Sequence, residues 1–269
     1  MLGKTEIETL LTDLQQIYGE DFRYYSRDSF ERRVNRFVKL ENFKDYSALL
    51  TKLRSDKHYI QHFIDHITVN VTEMFRDTAF FNTLNRQLIP QLTQHSTIRI
   101  WHAGCSTGEE VYSTAILFQE AGLLEKCVIL ATDINSRVLE RADSGLFYSS
   151  LMPLYEAKYR LAGGEKNFSS YFTKTTEGEK ISENIRSQIS FQNHNLASGN
   201  YLGKFDLIIC RNVLIYFDRI MREMVFRLFD DSTGPNSFIA LGERETLDLS
   251  SISKHYTKLE SEMIWKKTN

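Results

Sequence analysis

Four stretches of the chain end on side chains whose types suit chemistry better than packing. They are "IRIWHAGCSTGEE" from residue 98, "CVILATDIN" from 127, "ISFQNHNLA" from 189 and "FDLIICRNVLIYF" from 205. Each is an apolar, strand-like run that stops at polar residues. The first ends at Gly104, and Gly108 precedes a helical pattern opened by Glu109 and Glu110. Glycines at such a turn let a ligand touch the main chain; a tight strand-to-helix turn is the alternative. Asp133 ends the second run, where a carboxylate can accept hydrogen bonds from both ribose hydroxyls or cap the next helix. Asn195 ends the third, where an amide can read an adenine edge. Arg211, Asn212 and Tyr216 follow the fourth. His102 lies within the first run and reads as a packed histidine, not a base.

A dinucleotide-binding loop would show G-x-G-x-x-G with pyrophosphate on the helix amino end. Here serine replaces the middle glycine, and two acids at the helix start repel phosphate. The loop suits a nucleoside that carries positive charge and no phosphates. S-adenosylmethionine, with its sulfonium and α-amino group, meets that description.

Such side chains need a sheet whose strands end together. From residue 98 short apolar runs alternate with helical stretches, which argues for an α/β fold with a mostly parallel sheet covered on both faces. The alternation breaks at about residues 148–188, where "YFTKTTEGEKISENI" reads as a small β hairpin inserted into the domain. The tail, "KHYTKLESEMIWKK", can add a last antiparallel strand pair. The first 95 or so residues are helical by spacing, with Leu10, Leu11, Leu14 and Ile17, then Phe30, Val34, Phe37 and Val38 on apolar faces, and Gly19 marking a break. The division expected is a helical domain at 1–70, a linker and connecting helix at 71–97, and an α/β domain at 98–269.

The composition closes other routes. A formal net charge of −2 over 269 residues gives no basic field for nucleic acid. No run of about 18 apolar residues exists, so no membrane span is expected. The first residues lack a signal-peptide layout, and Cys105, Cys127 and Cys210 have no metal-type spacing. They read as reduced, buried thiols of a cytoplasmic protein. No metal is expected, and a monomer is the default.

Together "ITVNVTEMFRD", "AGCSTGEEVYS", "ATDIN" and "FDLIICRNVLIYFD" resemble the CheR-type chemotaxis receptor methyltransferases, over nearly the whole chain. The resemblance implies a class I S-adenosylmethionine-dependent methyltransferase (Rossmann-like) with an all-helical N-terminal domain and a small inserted antiparallel β subdomain. It implies methylation of glutamate side chains on the cytoplasmic helices of chemoreceptors, with S-adenosylhomocysteine as product. It implies that Asn70, Thr72 and Arg76 close over the cofactor, that Glu109 takes its amino end and Asp133 its ribose, and that Asn195 and Leu196 flank the adenine. Arg211 and Asn212 would line the pocket, with Arg76 and Tyr216 nearest the reacting methyl. Arg76 can also be read as pairing with Asp77 on the surface, and Tyr216 as a core aromatic. Arg32, Arg33, Arg36 and Lys39 fall near one helix face and are expected to dock the acidic receptor helix. In some relatives the inserted hairpin grips a receptor C-terminal peptide by strand addition. A methyltransferase with another acceptor, or a cofactor-binding module without turnover, are the alternatives.

Overall fold

The computed structural model describes residues 4–18, 22–56, 58–68, 70–259 and 263–268. Gly19, and residues 260–262 of the tail, lie outside them. The chain begins with four helices: α1 (Lys4–Tyr18), α2 (Arg27–Leu40), α3 (Tyr46–Ser55) and α4 (Tyr59–Ile67). Their apolar faces meet in one core that includes Leu10, Leu14, Val34, Phe37, Leu49 and Phe63. Asp45 starts α3 by accepting the Ala48 N–H at 2.9 Å, which satisfies one of the helix's orphan donors. A linker leads to α5 (Thr78–Thr83), which passes through one π turn and a 3-10 turn holding Pro90. Proline has no N–H to continue an α-helical ladder, so the pitch changes there instead of the helix running on.

The α/β part follows as β1 (Ile98–Ala103), α6 (Glu109–Glu120), β2 (Cys127–Asp133), α7 (Ser136–Ser144), β3 (Leu146–Phe147), α8 (Met152–Leu161), β4 (Phe172–Lys174), β5 (Glu179–Ile181) and α9 (Glu183–Arg186). It continues with β6 (Ile189–Asn193), β7 (Phe205–Cys210), α10 (Arg219–Asp231), β8 (Thr233–Leu241), β9 (Tyr256–Lys258) and β10 (Ile264–Lys267). The main sheet has the order β6-β2-β1-β7-β8-β10-β9. Its pairs are parallel from β6 to β8, and β10 runs antiparallel to both neighbours. Helices cover both faces, with separate apolar clusters on the two sides. Both the parallel sheet and the closing antiparallel pair match the sequence reading.

The insert differs in one respect. It is a three-stranded sheet, β3-β5-β4, not a lone hairpin, and its first strand begins two residues before the expected start at 148. Gly145 sets this up: its carbonyl accepts the Ile181 N–H at 2.9 Å, so pairing starts as soon as α7 ends. A two-residue strand carries no alternation for a sequence reading to detect.

Strand order runs outward from β1 in both directions, to β2 and β6 on one side and to β7 and β8 on the other. The reversal opens a crevice at the carboxyl ends of β1 and β7. Gly108 fixes the start of α6 there, with φ +90°. A Cβ at this residue would stand 3.0 Å from the Ala142 Cβ of α7 and 3.1 Å from a Tyr112 ring carbon. Gly108→Ala should therefore cost about 1–3 kcal/mol. Urea unfolding at constant m-value checks this, and an unshifted midpoint would mean that the α6–α7 contact yields freely.

Candidate active site

At that crevice lies a cleft enclosing about 920 Å³, part of it open to solvent. Its floor is the loops that follow β1, β2, β6 and β7, and its cover is the linker after α4. The structure brings Asn70, Thr72 and Arg76 of the linker to one wall. Opposite them stand Gly104, Asp133, Asn195 and Leu196, and Arg211, Asn212 and Tyr216 complete the lining.

The linker is held down by its own sequence. Met74 and Phe75 are fully buried, and Phe75 packs against Phe81 and Tyr159 at 5.2 and 5.4 Å. The Phe75 N–H donates to Ser113 Oγ of α6 at 2.9 Å. Phe75 and Asp77 both adopt left-handed backbone, with φ near +55°, a costly conformation for a large aromatic residue.

Arg211 joins the cover to the floor. Its Nη2 donates to Asp77 Oδ2 at 2.6 Å and its Nη1 to Glu110 Oε2 at 2.8 Å, while the guanidinium lies 4.0 Å above the Phe80 ring. The side chain is 2% exposed. Because Asp77 is engaged here, the surface pairing of Arg76 with Asp77 is not formed. Among the described residues the Arg76 guanidinium makes one long hydrogen bond, 3.4 Å to the Val71 carbonyl, and it lines the cleft.

The two acids at the start of α6 take different positions from those expected. Glu109 is buried outside the cleft lining, where its Oε2 accepts the Thr107 hydroxyl at 2.6 Å. Gly108 is not in the lining either. The acid that faces the cleft is Glu110. One residue along a helix is a rotation of about 100°, so the phase set at Gly108 decides which acid faces inward. Burial pushes the Glu110 carboxyl upward, but His102, 3.5 Å away, and Arg211 together hold it below the usual range. His102 is 1% exposed and packed, as expected.

Gly104, with φ +83°, is bare for a reason internal to the protein: a Cβ there would meet the Val213 side chain at 2.5 Å. Asp133 is not the cap of α7. That role belongs to Asn135, whose Oδ1 accepts the Arg137 and Val138 N–H groups. Asp133 instead accepts the Ser106 N–H at 2.9 Å and the Asn135 N–H at 3.0 Å, one on each oxygen. Burial raises its carboxyl, opposed by these backbone donors. Each oxygen keeps a lone pair for a ligand. Asn195 caps a short 3-10 turn through Oδ1, which accepts the Ala197 N–H at 2.8 Å, and its amide nitrogen remains to address a ligand.

Arg33 leaves the basic face assigned to it. Its guanidinium stacks 4.6 Å over the Tyr216 ring, donates to the Ile67 carbonyl at 2.7 Å and reaches the cleft. Arg32, Arg36 and Lys39 stay exposed on the outer side of α2. The Ser26 N–H donates to the Tyr216 carbonyl at 2.7 Å, so the helical domain grips the loop after β7 directly.

Sequence reasoning missed Glu245. This buried carboxylate accepts the N–H groups of Gly242 at 2.7 Å, Asn212 at 2.9 Å and Ile215 at 3.2 Å. It holds Asn212 in its left-handed conformation from behind the cleft. Nothing local marks it in sequence, since the loop that it supports lies some 30 residues earlier.

The sequence model for the CheR methyltransferase SAM-binding domain matches residues 70–264, and that for the CheR all-alpha domain matches residues 5–68. The chain belongs to the CheR methyltransferase family. A Pseudomonas putida protein bearing the name Cher3 is 37% identical over 254 residues, which covers 94% of this chain and 93% of that protein. Chemotaxis protein methyltransferases of Vibrio parahaemolyticus and Listeria innocua are 33% and 31% identical, over 86% and 85% of this chain and 84% and 85% of theirs. The fold is that of a class I methyltransferase and the cofactor is S-adenosylmethionine.

The cleft of this CheR protein fits that cofactor. Glu110 and Asp133 supply negative walls for a cation. Three lining residues carry buried polar atoms with no partner among the described residues: Ser106 Oγ, His194 Nδ1 and Arg211 Nε. Orphaned polar atoms at one cavity are what a polar ligand would satisfy.

Burial raises the Glu109 carboxyl, with the Thr107 hydroxyl opposing. A carboxyl raised by folding takes up a proton as the chain folds. Its contribution is therefore present below the unfolded value and is lost as pH rises through the folded one. Glu109→Gln lacks this loss, so its stability relative to wild type should grow from about pH 4 to about pH 7. Parallel urea midpoints across that range would show that Glu109 is not strained by burial.

Proposed function

We propose that this chain transfers a methyl group from S-adenosylmethionine to the side-chain carboxylate of protein glutamates, and that the acceptors lie on the cytoplasmic helices of chemoreceptors. The single observation that carries the reading is the disposition of Arg76. Its guanidinium is free of any ion pair among the described residues and lines the cleft, whereas Arg211 is engaged by Asp77 and Glu110 and Arg33 by the Ile67 carbonyl and the Tyr216 ring. A planar guanidinium suits a carboxylate substrate. The names of the Listeria and Vibrio relatives support a place in chemotaxis.

The cofactor, when bound, supplies a sulfonium methyl whose C–S electrons return to sulfur as the new O–C bond forms. On this reading Glu110 takes the α-amino end, in the place first expected of Glu109. Asp133 accepts the ribose hydroxyls, and the Asn195 amide and Leu196 flank the adenine. A free glutamate has a pKa of about 4.3 and is already anionic at neutral pH, so no base has to act on it. The burden on the protein is alignment, which can lower a barrier by roughly 7–11 kcal/mol in favourable cases. Arg76 grips one carboxylate oxygen at the open side, and the Tyr216 hydroxyl, its ring fixed beneath Arg33, steers the other. Charge disappears as sulfonium and carboxylate become thioether and ester, so exclusion of water by the linker favours the forward step.

The exposed ridge of Arg32, Arg36 and Lys39 is positioned for an acidic receptor helix, without Arg33. The insert offers β4 as an outer edge for strand addition by a receptor C-terminal peptide.

Arg76→Ala should lower kcat by about 100-fold or more, while calorimetric affinity for S-adenosylhomocysteine stays within about threefold of wild type. Equal losses in both would remove the orienting role. The product should release methanol in base, as a carboxyl ester does and a methylated amine does not. Reversing Arg32 and Arg36 to Glu should raise KM for a receptor fragment and flatten its dependence on salt. An unchanged KM would place docking elsewhere.

A further inference from the structure

The methyl-transfer site leaves one set of metal-ligating side chains unused. His58, His62 and His66 follow one another at four-residue spacing at the start of and along α4. His62 and His66 lie on adjacent turns with ring centroids 4.5 Å apart, and Phe37 packs on both, at 5.6 and 5.2 Å. Facing them is Glu41, the residue that closes the C-terminus of α2. One ligand atom from each of Glu41, His62 and His66 lies within 4.8 Å of the other two. Glu41 Oε1 is 3.1 Å from His62 Nε2.

The outer partners are also in place. The Tyr59 hydroxyl donates to Glu41 Oε2 at 2.9 Å. His66 Nδ1 is 2.8 Å from the His62 carbonyl. A carbonyl accepts only, so this contact puts the ring proton on Nδ1 and leaves the Nε2 lone pair free. Ring nitrogens tied to backbone carbonyls, and carboxylates steadied by a hydroxyl, are the supports that orient ligands around a bound metal. Side chains of His62 and Glu41 are about 31% and 26% exposed, which leaves an entry path.

We propose that Glu41, His62 and His66 form a binding site for a divalent transition-metal ion. Two imidazoles and one carboxylate select Zn²⁺ over the oxygen-seeking Mg²⁺ and Ca²⁺. Water takes the fourth position. The ion braces the C-terminus of α2 against α4. Ile67, one residue beyond His66, holds Arg33 through its carbonyl, and Thr68 and Asn70 follow in the cleft wall. The brace therefore sits behind the cover of the methyl-transfer site. It stands on geometry alone and does not depend on which acceptor is methylated.

The test is calorimetric titration of ZnCl2 into the tag-free, chelator-stripped full chain. Wild type should bind one ion, and its melting temperature should rise with zinc. His62→Ala and His66→Ala should each weaken binding by about 100-fold, and Tyr59→Phe by about 10-fold. His58→Ala should leave binding unchanged. Melting in EDTA shows whether each variant folds, and all should then match wild type closely. Failure of wild type to bind at about 100 µM zinc, equal binding by the His62 and His66 variants, or loss of binding with His58→Ala would each overturn the assignment.

Discussion

One buried guanidinium organises the cleft. Arg211 follows β7, yet its partners come from two other parts of the chain, Asp77 on the linker and Glu110 on α6. An arginine removed from water without partners would cost several kcal/mol. The linker and α6 must therefore close on it together, with the Phe80 ring against its face. That requirement places Arg76 at the mouth and Glu110 on the wall. It also sets the charge of the site. Two carboxylates share this one guanidinium, Asp133 stands across the cleft, and Arg33 and Arg76 bring positive charge to the same lining. Glu110 and Asp133 offer carboxylates to a cationic nucleoside, and Arg76 is left for an anionic acceptor.

The backbone around the cleft is held in conformations it would not adopt alone. Of the non-glycine residues with left-handed φ, Phe75, Asp77, Ser106 and Asn212 are all on loops that frame the site. Each is countered by a specific bond: Ser113 on Phe75, Arg211 on Asp77, Asp133 on Ser106 and Glu245 on Asn212. These supports come from neighbouring elements, not from the loops themselves. Strain of order 1–3 kcal/mol per residue persists only where surroundings over-determine it. The same arrangement leaves side chains pre-aimed, so little reorganisation remains for the ligand to drive.

Strand ends were legible because their physics is local. An apolar run that stops at Asp133, Asn195 or Arg211 announces both the strand and the side of the sheet on which a ligand sits. The parallel sheet, the helical N-terminal part and the insert followed from periodicity in the same way. What the sequence withheld depends on orientation or on distant partners. Glu109 and Glu110 are equivalent as letters, and only the phase of α6 separates them. Arg33 shares its spacing with Arg32 and Arg36, but spacing does not say which face meets Tyr216. Gly104 and Gly108 announced close approach without saying by what. The neighbours are Val213 and Ala142, which lie far along the chain. Glu245 had no local signature at all.

Arg211 assembles the cofactor cleft by bridging Glu110 and Asp77. Arg211→Lys keeps the charge but cannot fork between two acids while covering Phe80. Calorimetry of S-adenosylhomocysteine binding to the folded variant tests this most directly. The affinity should fall at least tenfold, about 1.4 kcal/mol, with the far-UV spectrum retained. An affinity equal to that of wild type would contradict it.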